Sequence, residues 1–158
     1  NEGYEIRRLD PDGAVKLIVR RIMTPAEVRS EDIERARALS LEQLEGSGSG
    51  IPEQIRTQLE NRIKEAPYPE RLAWYSGLMM DDPGYLWVES PRRPGDFRYL
   101  FSVFGPDGYW VCDVTMPERF RPTHIAPGHV TGIWMDEDDV EYVRVYELIK
   151  PGASGGAG

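Results

Sequence analysis

Apolar and polar positions alternate from the first residues onward. Tyr4-Glu5-Ile6-Arg7-Arg8-Leu9 and Ala14-Val15-Lys16-Leu17-Ile18-Val19 both read as strands, and Asp10-Pro11-Asp12-Gly13 lies between them. Proline fixes the backbone at the first corner of such a turn and glycine accepts positive φ at the last, so residues 4–22 are expected to form a β-hairpin. The period then changes. Thr24-Pro25-Ala26-Glu27 has the form of a capping box with proline at the first helical position, which predicts a helix starting there. Ile33, Ala36, Leu41 and Leu44 fall on one face of it, up to the Gly/Ser run 46–50, which is flexible by composition. Pro52 opens a second helix with Ile51, Ile55, Leu59 and Ile63 four residues apart, and Ala66-Pro67 stops it. Residues 24–66 thus read as a helical insertion. Its apolar stripe serves either to pack on the rest of the chain or to bind a partner.

Beyond Pro69 the pattern returns to period two. Strands are expected over 72–80, 85–89, 97–104, 109–116, 129–135 and 140–148, with turns at Asp81-Asp82-Pro83-Gly84, Gly105-Pro106-Asp107-Gly108 and Asp136-Glu137-Asp138-Asp139. Residues 117–127 read as a proline-containing connection. Strands arriving about every ten residues and joined by tight turns are the signature of an antiparallel meander. One hairpin is used twice: 4–19 and 99–114 share the order strand, Pro-Asp-Gly, strand. Repetition of that kind points to sheets that bury their faces by stacking on one another.

The segments Gly84-Tyr85-Leu86-Trp87-Val88, Val103-Phe104-Gly105-Pro106-Asp107-Gly108, Val114-Thr115-Met116-Pro117 and the closing run from Val130 to Leu148 resemble the last blade of bacterial six-bladed β-propeller proteins of the NHL-like kind. The resemblance covers 72–148 closely, and 4–20 more loosely as the outer hairpin of a preceding blade. It implies a mainly β fold of propeller-blade type, about one and a half blades plus two helices, in a single domain over 1–150 with a closing meander over 70–148. So few blades cannot close a ring, so open sheet edges are expected to find partners outside the chain. Members of that family are mostly exported binding platforms, which implies an extracytoplasmic interaction protein; with its open edges the chain is expected to be a periplasmic, membrane-extrinsic scaffold subunit of a larger, membrane-bound assembly. A bacterial photosynthetic reaction centre with its light-harvesting rings is the expected example. The alternative is a ligand- or peptide-binding fragment of a sensor-like propeller. Because the sequence begins with Asn1, it reads as a processed product or as part of something longer.

Composition narrows the partners. A net charge of −8, from 27 acidic and 19 basic residues, argues against nucleic acid, whose affinity for proteins comes largely from Lys and Arg on phosphates. No apolar run reaches the ~18 residues that span a bilayer. The lone Cys112 and the two histidines, His124 and His129, lack the companions of a zinc site, and the acidic run 136–139 lacks calcium-loop spacing. No nucleophile elbow, phosphate loop or metalloprotease motif is present, so the chain reads as non-enzymatic and without a cofactor. Arginine and aromatic residues are enriched at interface centres. On that ground Arg92 and Arg93 in the 90–96 loop and Arg119, Phe120 and Arg121 are candidate contacts, with the stripe Ile55, Leu59 and Ile63. The tail 151–158 has no side chains with which to build a core, so its Gly155 and Gly156 are expected to be held by a neighbouring subunit.

Overall fold

The computed structural model describes residues 3–46 and 50–149. The 46–50 linker lies partly, and the tail with Gly155 and Gly156 wholly, outside the described residues. Within them the chain is mainly β with two helices, and it divides into two compact units.

The smaller unit is Thr24–Ala73 with Arg93–Asp96. It holds helices α1 (Ser30–Gly46) and α2 (Glu53–Glu65). The helix expected at Thr24 starts later because residues 26–28 are extended. Glu27 bridges Arg71, Val28 N–H donates to Glu70 O, and Leu72 N–H donates to Ala26 O. The working cap is Asp32, whose carboxylate accepts from Arg29 N–H at 2.9 Å, the reciprocal half of a capping box. Ala66, preceding Pro67, leaves α2 with ψ 127°, the extended conformation that a following proline enforces.

The larger unit, residues 3–23, 74–92 and 97–149, is a set of antiparallel meanders. Strands β1 (Tyr4–Leu9) and β2 (Val15–Arg21) form a hairpin. Strands β3 (Gly77–Met80), β4 (Leu86–Glu89), β5 (Leu100–Phe104) and β6 (Trp110–Thr115) form a four-stranded sheet in chain order. Strands β7 (Phe120–Ala126), β8 (His129–Met135) and β9 (Glu141–Glu147) form a three-stranded one. The four-stranded sheet buries both faces, as period-two alternation allows. Trp87, Phe101 and Val103 pack with Met116, Phe120, Ile125 and Val130 on the side of the three-stranded sheet. Val88 and Phe104 pack with Tyr4, Ile6 and Val19 of the hairpin.

β7 lies where only a connection was expected. Pro122 cannot donate to a ladder, which argues against a strand, but β7 is an edge strand and its register shifts between Pro122 and His124, the two settings in which proline is tolerated. The strand expected over 72–80 shortens to β3.

Four turns share one geometry. In 10–13, 81–84, 105–108 and 136–139 the first residue's N–H donates to the carbonyl of the residue just after the turn, and its own carbonyl accepts from the fourth residue's N–H. The fourth residue sits at positive φ: 87° at Gly13, 90° at Gly84, 85° at Gly108 and 60° at Asp139. The pair of Pro-Asp-Gly hairpins read from the sequence is therefore part of a series of four, the last with aspartate doing glycine's job. Asp139→Gly is expected to stabilise the protein by about 0.5–1 kcal/mol, since a side chain in the left-handed region carries a steric cost that glycine lacks. A chemical-denaturation midpoint that falls instead would show that Asp139 holds the turn by other means.

Candidate interaction surface

Most arginines singled out in the sequence are engaged within their own unit. Arg93 pairs with the Asp32 carboxylate that caps α1 and donates to Glu27 O. Arg92 lies 4.0 Å from the ring centre of Tyr99 and 3.6 Å from the Glu89 carboxylate. Arg119, at φ 59°, stacks over Phe97 at 4.8 Å and donates to Asp136 O. Arg121 is exposed on β7, opposite Ile133. Phe120 is a correction: it is 0% exposed and meets Tyr146 edge-to-face at 4.7 Å, so it is a core residue and offers no surface to a partner. On α2, Ile55 is 48% exposed while Leu59 and Ile63 are half-buried. Neither helix has a fully buried residue.

The titrating groups with clear shifts lie within single hairpins, except for one cluster between two sheets. Hydrogen bonds from Arg20 and Arg7 keep the Glu5 carboxyl below its usual range. Burial works to raise Asp113, but hydrogen bonds from Ser102, Arg21 and Trp110 outweigh it and hold the group low. That cluster joins the hairpin to the four-stranded sheet, because the Arg21 guanidinium also donates to Ser102 Oγ. Burial pushes the Tyr4 phenol up to about 12. Asp136 is kept low by N–H groups of its own turn, Val140 foremost, and its hydrogen bond with Tyr142 raises that phenol.

His124 stands 3.6 Å from Asp82 on the surface. Among the described residues, no group of three or more His, Cys, Asp or Glu side chains is placed to hold a metal ion. Nor, among them, is any helix long and apolar enough to cross a membrane. Cys112 is half-buried in the four-stranded sheet and borders an apolar pocket of about 250 Å³ with Tyr85, Trp87, Val103 and Leu148. The buried Asp81 reaches that pocket, its carboxylate accepting from Trp87 Nε1 at 3.1 Å and Tyr85 N–H at 2.7 Å.

Among the described residues, two apolar features lie beside strand edges that pair on one side only. The first is a groove of about 200 Å³ bordered by β1 and β3, each of which pairs on one side only. Ile6, Leu17, Leu78, Met80 and Leu86 line it, and Leu78 and Met80 are about half exposed. The second is β9, the outer strand of the three-stranded sheet, with Val143 77% and Val145 62% exposed. Sequence reasoning did not single out either. The signal for β9 was available: its alternation places valines on one face and tyrosines on the other, so only one set can be buried by a single neighbouring sheet.

Comparison with known proteins finds no family model, no curated protein and no solved structure that matches the chain, and nothing in it identifies a propeller protein.

Proposed function

We propose that the chain is a non-catalytic interaction protein, a scaffold subunit whose incomplete antiparallel sheets are completed against other polypeptides of a larger assembly. The observation that carries this reading is the strand inventory. A four-stranded sheet packs on both faces, against a sheet of two strands and a sheet of three. Stacked four-stranded meanders are how propeller blades bury themselves, so the larger unit reads as one full blade between two partial ones. The free edges of the two partial blades, the β1–β2 hairpin and the three-stranded sheet ending in β9, are then the positions where further strands belong. Unpaired edges with apolar neighbours are templates for association, and proteins keep them when a partner covers them.

The resemblance noted in the sequence points to an extracytoplasmic interaction protein, and we extend the proposal to a membrane-extrinsic subunit on the periplasmic side, taking a photosynthetic reaction centre and its light-harvesting rings as the assembly to try first. The reading as a peptide- or ligand-binding propeller fragment is favoured by the groove beside β1 and β3, which has room for an extended apolar segment. Affinity-tagged chain expressed in its native background, recovered under gentle solubilisation and examined by mass spectrometry and light scattering, is expected to carry other subunits in fixed stoichiometry. Recovery as a lone monomer from every fraction would overturn the scaffold reading.

A further inference from the structure

We infer that the outer edge of β9 is a strand-addition site for an extended segment of a partner polypeptide in which basic residues flank apolar ones. This rests on the interaction reading and assigns it a place and a partner chemistry. Pairing of β8 with β9 runs without a register shift from Met135↔Glu141 to His129↔Glu147. Asp136 N–H donates to Val140 O just beyond one end, and Leu148 N–H donates to Gly128 O just beyond the other. In an antiparallel ladder hydrogen-bonded pairs alternate with non-bonded ones. Tyr142, Arg144 and Tyr146 therefore turn their backbone groups towards β8. Glu141, Val143, Val145 and Glu147 turn theirs outward.

The side chains agree. Tyr146 packs on Phe120 and Tyr142 on Trp134, which assigns the even positions to the core-facing side. Val143 and Val145 stand on the opposite side with a glutamate at either end. The two edges of this sheet are treated differently. β7 carries a proline and a bulge, and Ile125 O is occupied by Asp82 N–H, all devices that blunt an edge. β9 has no proline, lysine or bulge.

Charge selects the occupant. Antiparallel pairing of two copies about Arg144 would set Glu141 opposite Glu147 at both ends and Arg144 opposite Arg144, and like charges directly across a sheet destabilise it. A partner strand with Lys or Arg opposite the two glutamates and β-branched residues opposite the valines gains at each of those positions. The acidic turn 136–139 at one end adds to the attraction.

The test uses the full chain and two capped peptides, Lys-Thr-Val-Thr-Val-Thr-Lys and Glu-Thr-Val-Thr-Val-Thr-Glu, in fluorescence anisotropy and amide NMR titrations. At low salt the lysine peptide is expected to bind about tenfold more tightly than the glutamate peptide, shifting the amides of Val143 and Val145, and added salt should narrow the gap. Val145→Pro removes an outward N–H and no internal ladder bond, so it should melt within a few degrees of the parent and lose most of the lysine-peptide affinity. Exchanging both exposed glutamates, Glu141→Lys with Glu147→Lys, should reverse the preference and keeps the test decisive if the proline variant folds poorly. Equal binding of both peptides, binding of neither, or self-association of the chain that Val145→Pro abolishes would each overturn the site. If the site fails while the chain still travels with other subunits, the strand addition is wrong and the scaffold reading stands. If the lysine peptide binds but the native chain is a lone monomer, the scaffold reading is the one that falls.

Discussion

Replacing Phe120 with alanine is expected to cost about 3–5 kcal/mol of folding stability, the range for deleting a buried aromatic ring whose surroundings collapse only in part. The ring is fully enclosed between the four-stranded and three-stranded sheets and meets Tyr146 edge-to-face. Such a contact adds to what burial alone supplies. Its neighbour Arg121 points the other way and is exposed, so Arg121→Ala should stay within about 0.5 kcal/mol of the parent. Urea unfolding of the two variants checks the pair of values together. Similar midpoints for both would mean that Phe120 is not the wedge between the sheets that its position indicates.

The contrast also shows why the sequence misassigned Phe120. Arg119, Phe120 and Arg121 look alike as contact residues when they are taken for a loop, because a loop has no fixed face. Once Phe120 and Arg121 open a strand, their side chains must point to opposite sides and the phenylalanine goes to the core. The loop reading came from the prolines in 117–127, and only pairing with β8 reveals that Pro122 needs no ladder donor at an edge. The Thr24 capping box failed for a related reason: local preference for a helix start lost to bonds with residues 70–72, far along the chain. Where turn chemistry and period agreed, as in the hairpins at Gly13 and Gly108, expectation and structure coincide. Asp139 was hidden because aspartate reports its left-handed backbone less clearly than glycine does. The open edge of β9 could not be read from the strand alone, because being an edge is a property of the sheet.

Gly132→Ala is expected to be among the most damaging single changes in the chain, costing at least about 2–3 kcal/mol by overpacking and leaving less folded protein at ordinary growth temperatures. The reason is space and not backbone freedom. A Cβ at this position would stand 2.3 Å from Arg121 O and 2.6 Å from Cζ of Phe120, inside van der Waals contact with both. Gly132 pairs with Pro122 on one side and Arg144 on the other, at the centre of the three-stranded sheet, so the strand has little room to shift away. Phe120 could turn aside only by leaving Tyr146, and the Arg121 carbonyl belongs to β7 and cannot turn without moving the strand. This division makes the effect separable by a double-mutant cycle. In the Phe120→Ala background the ring clash is gone and the carbonyl clash remains, so Gly132→Ala should cost less there than in the parent, yet still more than a surface substitution. A melt of Gly132→Ala within a degree of the parent, or costs that simply add in the double variant, would mean that the ring does not lie over this glycine, and the packing of the three-stranded sheet would have to be drawn differently.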